Sequence, residues 1–211
     1  IAKKLLEIIP EANLAEKIIE VVDHFNEGLN FVVTGDEKDK VSYYNFLAGE
    51  KAKNSAEFSR ALNYYQISLK LLNKNAWEND YQVCSQLYLG LALSERMAGS
   101  KSQSETYFDT LISHAKTKLD KSKFITEKMI LHMQEMQYDK ALSAGFESLE
   151  LFGYHIPRHI SKFRAMAEYI KVSILTFSFK NKDLLKLPPV KNKEVEVILF
   201  LLNEMVYNSY L

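Results

Sequence analysis

Apolar residues recur along this chain with the spacing of amphipathic helices, and one pattern of apolar positions occurs three times. Its positions are i, i+3, i+4, i+7, i+11 and i+14, which share one face of an α-helix. The first copy comprises Phe58, Ala61, Leu62, Tyr65, Leu69 and Leu72. The copy that starts 80 residues later comprises Tyr138, Ala141, Leu142, Gly145, Leu149 and Phe152. A weaker copy between them comprises Ser104, Phe108, Leu111, Ile112 and Ala115.

Stacked helix pairs are the architecture that this recurrence predicts. One small residue in each copy, Ala61, Ser104 and Ala141, would let the second helix of a pair approach the first closely. These residues are 43 and 37 positions apart, within the usual range of helical repeats. Because one pair cannot bury its own apolar face, such pairs stack into a solenoid. An irregular helical bundle is the alternative.

Helix limits follow from the same periodicity. The predicted helices cover 12–33, 38–54, 57–73, 79–98, 102–118, 121–134, 138–152, 159–179 and 192–211. The residues expected at or near N-terminal caps are Ser55, Asn79, Ser104, Ser122 and Ser161. Glycines that can close a helix in the left-handed conformation are Gly35, Gly99 and Gly153. Residues 181–192, which contain two prolines, are the predicted linker.

Composition narrows the function classes without naming one. Seven Gly and four Pro in 211 residues are too few for the frequent turns of a β-sandwich. The 27 basic and 27 acidic residues leave no net charge, which argues against a dedicated nucleic-acid binder. The longest uncharged stretch, 81–94, has 14 residues, whereas a membrane-spanning helix needs about 20. We therefore expect no nucleic-acid partner and no membrane insertion. The single cysteine, Cys84, fits a reducing compartment, so we expect a cytoplasmic location.

Catalytic and metal-binding patterns are weak throughout. Residues 99–102 read GSKS, but the glycine spacing of a phosphate-binding loop is missing. Pro157 separates His155 from His159, so these imidazoles are not expected to share a helical face for zinc. Cys84 lies in an apolar helix and is interpreted as a buried structural thiol rather than a nucleophile. The expectation is a non-enzyme with no cofactor and no metal.

Several short motifs occur in a characteristic order. Residues 23–28 read DHFNEG and residues 45–53 read NFLAGEKAK. They are followed by Trp77, Tyr81, Ala141, Leu142, Gly145, Leu149, Gly153, Ile156, Pro157, Leu187, Pro188 and Pro189. In this order they resemble the tetratricopeptide-like region of large bacterial multidomain signalling ATPases, which combine a Ser/Thr-kinase-like domain, an ATPase module, helical repeats and a sensor histidine kinase. Glu105 departs from the apolar residue that the family has there.

The resemblance implies an all-α fold, a right-handed superhelix of antiparallel helix pairs. It divides the chain into a helical segment after an ATPase module at 1–35, tetratricopeptide-like repeats at 36–179, and a linker with the start of a further pair at 180–211. Apolar patterns continue to both ends, from Ile1 to Leu211. We expect the chain to be a fragment of a longer protein.

The resemblance also implies a function and a surface. The leading hypothesis is a non-catalytic scaffold in a signal-transduction ATPase or kinase, whose concave face holds a peptide, a helix or a neighbouring domain. That face comprises Tyr43, Phe46, Glu50, Lys53, Gln86, Leu89, Arg96, Lys123, Thr126 and Met133. A sensor for a small-molecule inducer is the alternative, and an independent enzyme is the third possibility.

Overall fold

The protein is all-helical wherever the computed structural model describes it, in residues 1–32, 34–157, 161–177 and 189–209. This confirms the predicted fold class, while the superhelical arrangement stays a prediction. The chain divides into two compact units, Ile1–Ala115 and Lys116–Leu211, and each is described by itself. Among the described residues, no helix combines the length and apolar character needed to cross a membrane.

In its described residues, the first unit forms seven α-helices and one 3-10 turn. They are α1 (Ala2–Ile8), α2 (Glu11–Glu27), the 3-10 turn Leu29–Phe31, α3 (Gly35–Asn54), α4 (Phe58–Leu71), α5 (Ala76–Asn79), α6 (Tyr81–Met97) and α7 (Lys101–His114). Helix α3 packs on α4 and α6 packs on α7, and α4 joins the two pairs by packing on α6. Helix α2 covers α3, so each helix of the unit is held by its neighbour in sequence.

The second unit contains four described helices. They are α8 (Lys118–Gln134), α9 (Tyr138–Glu150), α10 (Lys162–Thr176) and α11 (Lys193–Ser209). Helices α8 and α9 pack as a pair, and α11 packs on both. Their core is made by Met129, Ala141, Leu149, Leu201 and Met205.

The small residues of the stripe lie at helix contacts. Ala61, Ser104 and Ala141 are all fully buried. The Ser104 hydroxyl also donates a hydrogen bond to the Ala92 carbonyl at 2.7 Å, which ties α7 to α6. A larger side chain at these positions would push the paired helices apart, because helix axes at such contacts are only about 8–10 Å apart.

One turn geometry joins the helices of all three pairs. The residue after each C-cap has a positive φ: +59° at Ala56, +91° at Gly99 and +59° at Met136. The next N–H then donates to the carbonyl five residues back, which defines the Schellman motif. These bonds join Glu57 N to Ala52 O at 2.9 Å, Ser100 N to Glu95 O at 2.9 Å and Gln137 N to His132 O at 2.8 Å.

We expect Ala56→Gly to stabilise the first unit by about 0.5–1 kcal/mol. The left-handed conformation costs a residue with a Cβ roughly 1–2 kcal/mol, and the greater conformational entropy of glycine in the unfolded chain offsets part of the gain. Gly99→Ala should destabilise by a similar amount. Urea unfolding followed by the fluorescence of Trp77, the single tryptophan, measures both, since its ring stacks on His114 at 4.4 Å within this unit. The control Ala98→Gly, at a right-handed position, should not stabilise; if it does, the turn explanation is wrong.

Several predicted helix limits were wrong. Gly35 does not end a helix but begins α3, because the Thr34 hydroxyl accepts a hydrogen bond from Glu37 N at 3.2 Å. The helix predicted over 12–33 ends at Glu27, and α1 was not predicted. The helix predicted over 102–118 ends at His114, because Thr117 caps a new helix by accepting from Asp120 N at 3.0 Å.

The predicted caps were correct only in part. Ser161 caps α10 by accepting from Arg164 N at 3.3 Å, as expected. Asn79 is not a cap, since Asp80 performs this role for α6. Ser55 lies instead at the C-terminus of α3, and Ser104 and Ser122 are fully buried within their helices. Gly99 and Gly153 adopt positive φ, as predicted.

Candidate functional site

The first four residues of the predicted concave face lie on α3 and differ in accessibility. Tyr43 is 45% exposed, whereas Phe46 is only 4% exposed and belongs to the core of the first unit. Glu50 and Lys53 are half-buried and form an ion pair at 2.7 Å. The same Glu50 oxygen accepts a hydrogen bond from the Tyr65 hydroxyl at 2.5 Å. Most of this set therefore contributes to packing between α3 and α4.

The three predicted residues on α6 are similarly divided. Gln86 is exposed and Leu89 is half-buried. The Arg96 side chain is 5% exposed, and its Nη1 lies 3.5 Å from Glu105 Oε1. Glu105, the residue that departs from the family pattern, thus carries a carboxylate from α7 to a buried guanidinium on α6.

The remaining three predicted residues lie on α8 in the second unit. Lys123 is exposed. The Thr126 hydroxyl donates to the Ser122 carbonyl at 2.7 Å, and Met133 packs against the core of its unit. Of the ten predicted residues, Tyr43, Gln86 and Lys123 are the ones whose side chains are largely open to a partner.

A polar cluster that sequence reasoning missed links α2 to α4. Asp23 accepts a hydrogen bond from the Tyr64 hydroxyl at 2.6 Å and another from Arg60 Nη2 at 3.1 Å. Arg60 Nε in turn donates to the Tyr64 oxygen at 3.0 Å. In the sequence, Asp23 is recognisable only as the first residue of the DHFNEG motif, and that motif does not indicate which helix the Asp23 side chain contacts.

Burial controls the ionisation of two tyrosines on α4. Desolvation and the hydrogen bond to Asp23 raise the pKa of Tyr64 to about 12. Desolvation, followed by the bond to Glu50, raises the pKa of Tyr65 as well. Both groups are therefore neutral donors to carboxylates across the physiological range.

We expect the first unit to lose stability as pH rises above about 10, the tyrosine pKa in the unfolded chain. A group whose pKa is raised by folding stabilises the folded state fully at any pH below its pKa in the unfolded chain. This stabilisation is lost as the pH rises towards the pKa in the folded state, which is about 12 for Tyr64. Urea unfolding at increasing alkaline pH should show this loss. Tyr64→Phe should flatten the slope, since the phenol is gone; an unchanged slope would contradict the assignment.

A cavity of about 250 Å³ opens beside Tyr43 in the first unit. Its lining comprises Asp39, Ser42, Tyr43, Leu72, Asn73, Ala76, Asn79, Asp80, Val83 and Cys84. Cys84 is buried, as predicted, and burial raises the pKa of its thiol to about 11. The thiol is thus protonated and weakly nucleophilic at neutral pH.

No group of three or more His, Cys, Asp or Glu side chains suited to a metal ion occurs in the ranges that the structure describes. His159, which the sequence pairs with His155, lies outside those ranges. The polar clusters of the first unit join helices to each other rather than converge on an open cleft.

No family model matches this chain, and no solved structure matches it. Among curated proteins, it is similar to hybrid signal transduction histidine kinase G of Dictyostelium discoideum. The two are 25% identical over 174 residues. The match covers 78% of this chain but only 5% of the kinase.

The similarity relates this chain to a small part of a signal transduction histidine kinase. It fits the predicted signalling context. The tetratricopeptide-like repeat family and the bacterial ATPase affiliation stay predictions.

Proposed function

We propose that this chain is a non-catalytic helical scaffold that mediates interdomain or protein–protein contacts in a signal-transduction protein. The observation that carries the proposal is the similarity to a histidine kinase along 78% of the chain. Since the match is 5% of that kinase's length, the activity of the whole protein belongs to the proposal too. Its upstream ATPase and downstream kinase contexts follow from the family resemblance of the sequence motifs.

The buried polar contacts support a mechanical role within each unit. Ser42 Oγ donates to Ser68 O at 2.8 Å, which joins α3 to α4. The Ser122 and Ser148 hydroxyls lie 2.7 Å apart and join α8 to α9. Both serine pairs are 26 residues apart in sequence. Such buried bonds fix the register of paired helices, so a displacement of one helix is passed to its partner rather than absorbed.

Each unit would then offer its own surface to a neighbouring domain, at the exposed members of the predicted face. In the first unit these exposed residues are Tyr43 on α3 and Gln86 on α6, and in the second unit the exposed residue is Lys123 on α8. Aromatic and amide side chains of this kind suit a helix or peptide partner. Phe46 and Arg96 would support the surface from below, so their substitution tests folding rather than docking.

Hydrogen–deuterium exchange tests this proposal, with the chain alone compared with the chain inside its full-length protein. We expect slower exchange in α3 and α6 in the full-length protein. Tyr43→Ala should remove that protection and alter signalling output. The control Tyr154→Ala removes a tyrosine that is 51% exposed and should change neither. Equal exchange in both contexts would contradict the scaffold proposal.

Small-molecule sensing is the second candidate, favoured by the cavity beside Tyr43. Its lining mixes an aromatic edge and apolar side chains with two carboxylates, Asp39 and Asp80, which suits a small ligand carrying an amine. A thermal-shift screen against metabolic amines should then find a stabilising compound. Val83→Phe, which fills the cavity, should abolish the shift; a shift that survives it would place the ligand elsewhere.

A further inference from the structure

Helix α10 presents an apolar stripe of the kind that other helices of the chain bury. Its stripe comprises Phe163, Met166, Ala167, Ile170, Ile174 and Phe177. This is the spacing found in α4 and α9, where the stripe packs on neighbouring helices. In α10 every described side chain is exposed, including Phe163 at 91%, and Phe177, the C-cap residue just beyond the helix, is 92% exposed. An exposed patch of this size is typical of an interaction site.

Helix α11 has one apolar face that is buried and a second apolar face that is exposed to solvent. Ile198, Leu201 and Met205 are buried in the core with α9. On the outer side, the exposed apolar residues recur at i, i+4 and i+11: Val195 at 39%, Leu199 at 51% and Val206 at 54% exposure. This spacing places them on one stripe, so α11 can receive a further helix there.

The helices that carry these two faces differ in net charge in a way that favours their pairing. Helix α10 carries three basic residues, Lys162, Arg164 and Lys171, and one acidic residue. Helix α11 carries three acidic residues, Glu194, Glu196 and Glu204, and one basic residue. Opposite net charges attract α10 to α11, whereas two α10 helices would repel each other.

We propose that the α10 stripe of one copy covers the outer α11 face of a second copy, and the reverse, in a twofold homodimer. Both faces stay exposed within a single copy, and a second copy offers both complements at once. This dimer is a closed assembly, because each α10 stripe binds an outer α11 face and neither surface remains available to a third chain.

The exposed apolar area is sufficient for a stable dimer. At roughly 200 Å² for each aromatic side chain, the four phenylalanines of the two reciprocal contacts would cover on the order of 800 Å², and the aliphatic side chains of both faces add to this, so the total reaches the roughly 1,000 Å² expected of a biological interface. The phenylalanines at both ends of the α10 stripe supply the large, well-spaced anchors that dominate binding at such interfaces.

Light scattering coupled to size-exclusion chromatography tests the dimer with the full chain at micromolar concentration. We expect a mass of twice 24.4 kDa. Ile170→Asp on the α10 stripe and Leu199→Asp on the outer α11 face should each give a monomer with an unchanged helical circular dichroism spectrum, because both side chains are exposed in one copy. The matched control Val172→Asp changes a residue of α10 that is 56% exposed but lies off the stripe, and it should remain dimeric.

Mixing the two monomeric variants identifies the partner face. The Leu199→Asp copy keeps an intact α10 and the Ile170→Asp copy keeps an intact α11 face, so the mixture should form a heterodimer through one contact. A dimer from Leu199→Asp alone would indicate pairing of α10 with α10 and would overturn the proposal. A monomeric wild-type chain, or a dimer that survives both substitutions, would overturn it as well.

Discussion

Replacing Gly90 by alanine should destabilise the first unit by about 2 kcal/mol, although alanine is the better helix former. A Cβ at this position of α6 would lie 2.5 Å from Cζ and 2.9 Å from the hydroxyl oxygen of Tyr65. The Tyr65 ring is fully buried and bonded to Glu50, so it has little freedom to move. Overpacking of this kind costs about 3 kcal/mol, and the helix-propensity gain returns only about 1 kcal/mol.

The same ring meets a second glycine on its other side. A Cβ at Gly49 of α3 would lie 2.5 Å from Tyr65 Cε1, so Gly49→Ala should cost a similar amount. Gly145→Ala in the second unit should cost less, because the obstructing atoms are the thioether and Cγ of Met205 and the sulfur of Met129, which are flexible. Gly35→Ala is the control, since no atom lies within 4 Å of the methyl group that alanine would add there.

Urea unfolding followed by Trp77 fluorescence measures the first-unit variants. In a Tyr65→Ala background the ring is absent, so Gly90→Ala should no longer destabilise. The coupling energy between the two changes then isolates the steric contact. Stabilisation by Gly90→Ala comparable to that of Gly35→Ala would show that the Tyr65 ring does not fill the space between α3 and α6.

Asn45→Ala should destabilise the first unit by about 3 kcal/mol, since it removes a fully buried amide and several hydrogen bonds. Asn45 Nδ2 donates to Asn26 Oδ1 at 3.0 Å and to the Val41 carbonyl at 2.9 Å. Asn26 Nδ2 returns a bond to Asn45 Oδ1 at 2.9 Å. This reciprocal amide pair joins α2 to α3.

Asn26→Leu should cost about 2 kcal/mol, because it leaves the buried Asn45 oxygen without its donor. Combining it with Asn45→Leu replaces both partners by apolar groups, and the double variant should recover part of the loss. Asn63→Ala, at an exposed position of α4, is the control and should be close to neutral. Strict additivity of the two leucine substitutions in urea unfolding would argue against a coupled pair.

The candidate surface shows where residue patterns stop being informative. The periodicity of α3 places Tyr43 and Phe46 three residues apart, and the family resemblance assigns both to one face. In the fold, Tyr43 stays accessible while Phe46 enters the core. The difference depends on how α3 is rotated against its neighbours, which no spacing within α3 encodes.

The turns between paired helices illustrate the same limit in backbone conformation. Gly99 signals a left-handed residue because glycine has no Cβ. Ala56 and Met136 adopt that conformation at the corresponding positions without any such signal. We attribute the left-handed conformation of these two residues to the packing of the flanking helices, which is a tertiary contribution and not a local one.

The amino-acid sequence by itself determined the all-helical fold class, most of the helices with their apolar stripes, and the small residues at their contacts. These features depend on neighbours three and four positions away, whose relation is set by the helix itself. Tertiary structure alone decided which distant polar groups meet: Asp23 reaches Tyr64 across 41 residues, and Asn26 reaches Asn45 across 19. Such pairs depend on the rotation and crossing of whole helices, which arise from the packing of the complete core.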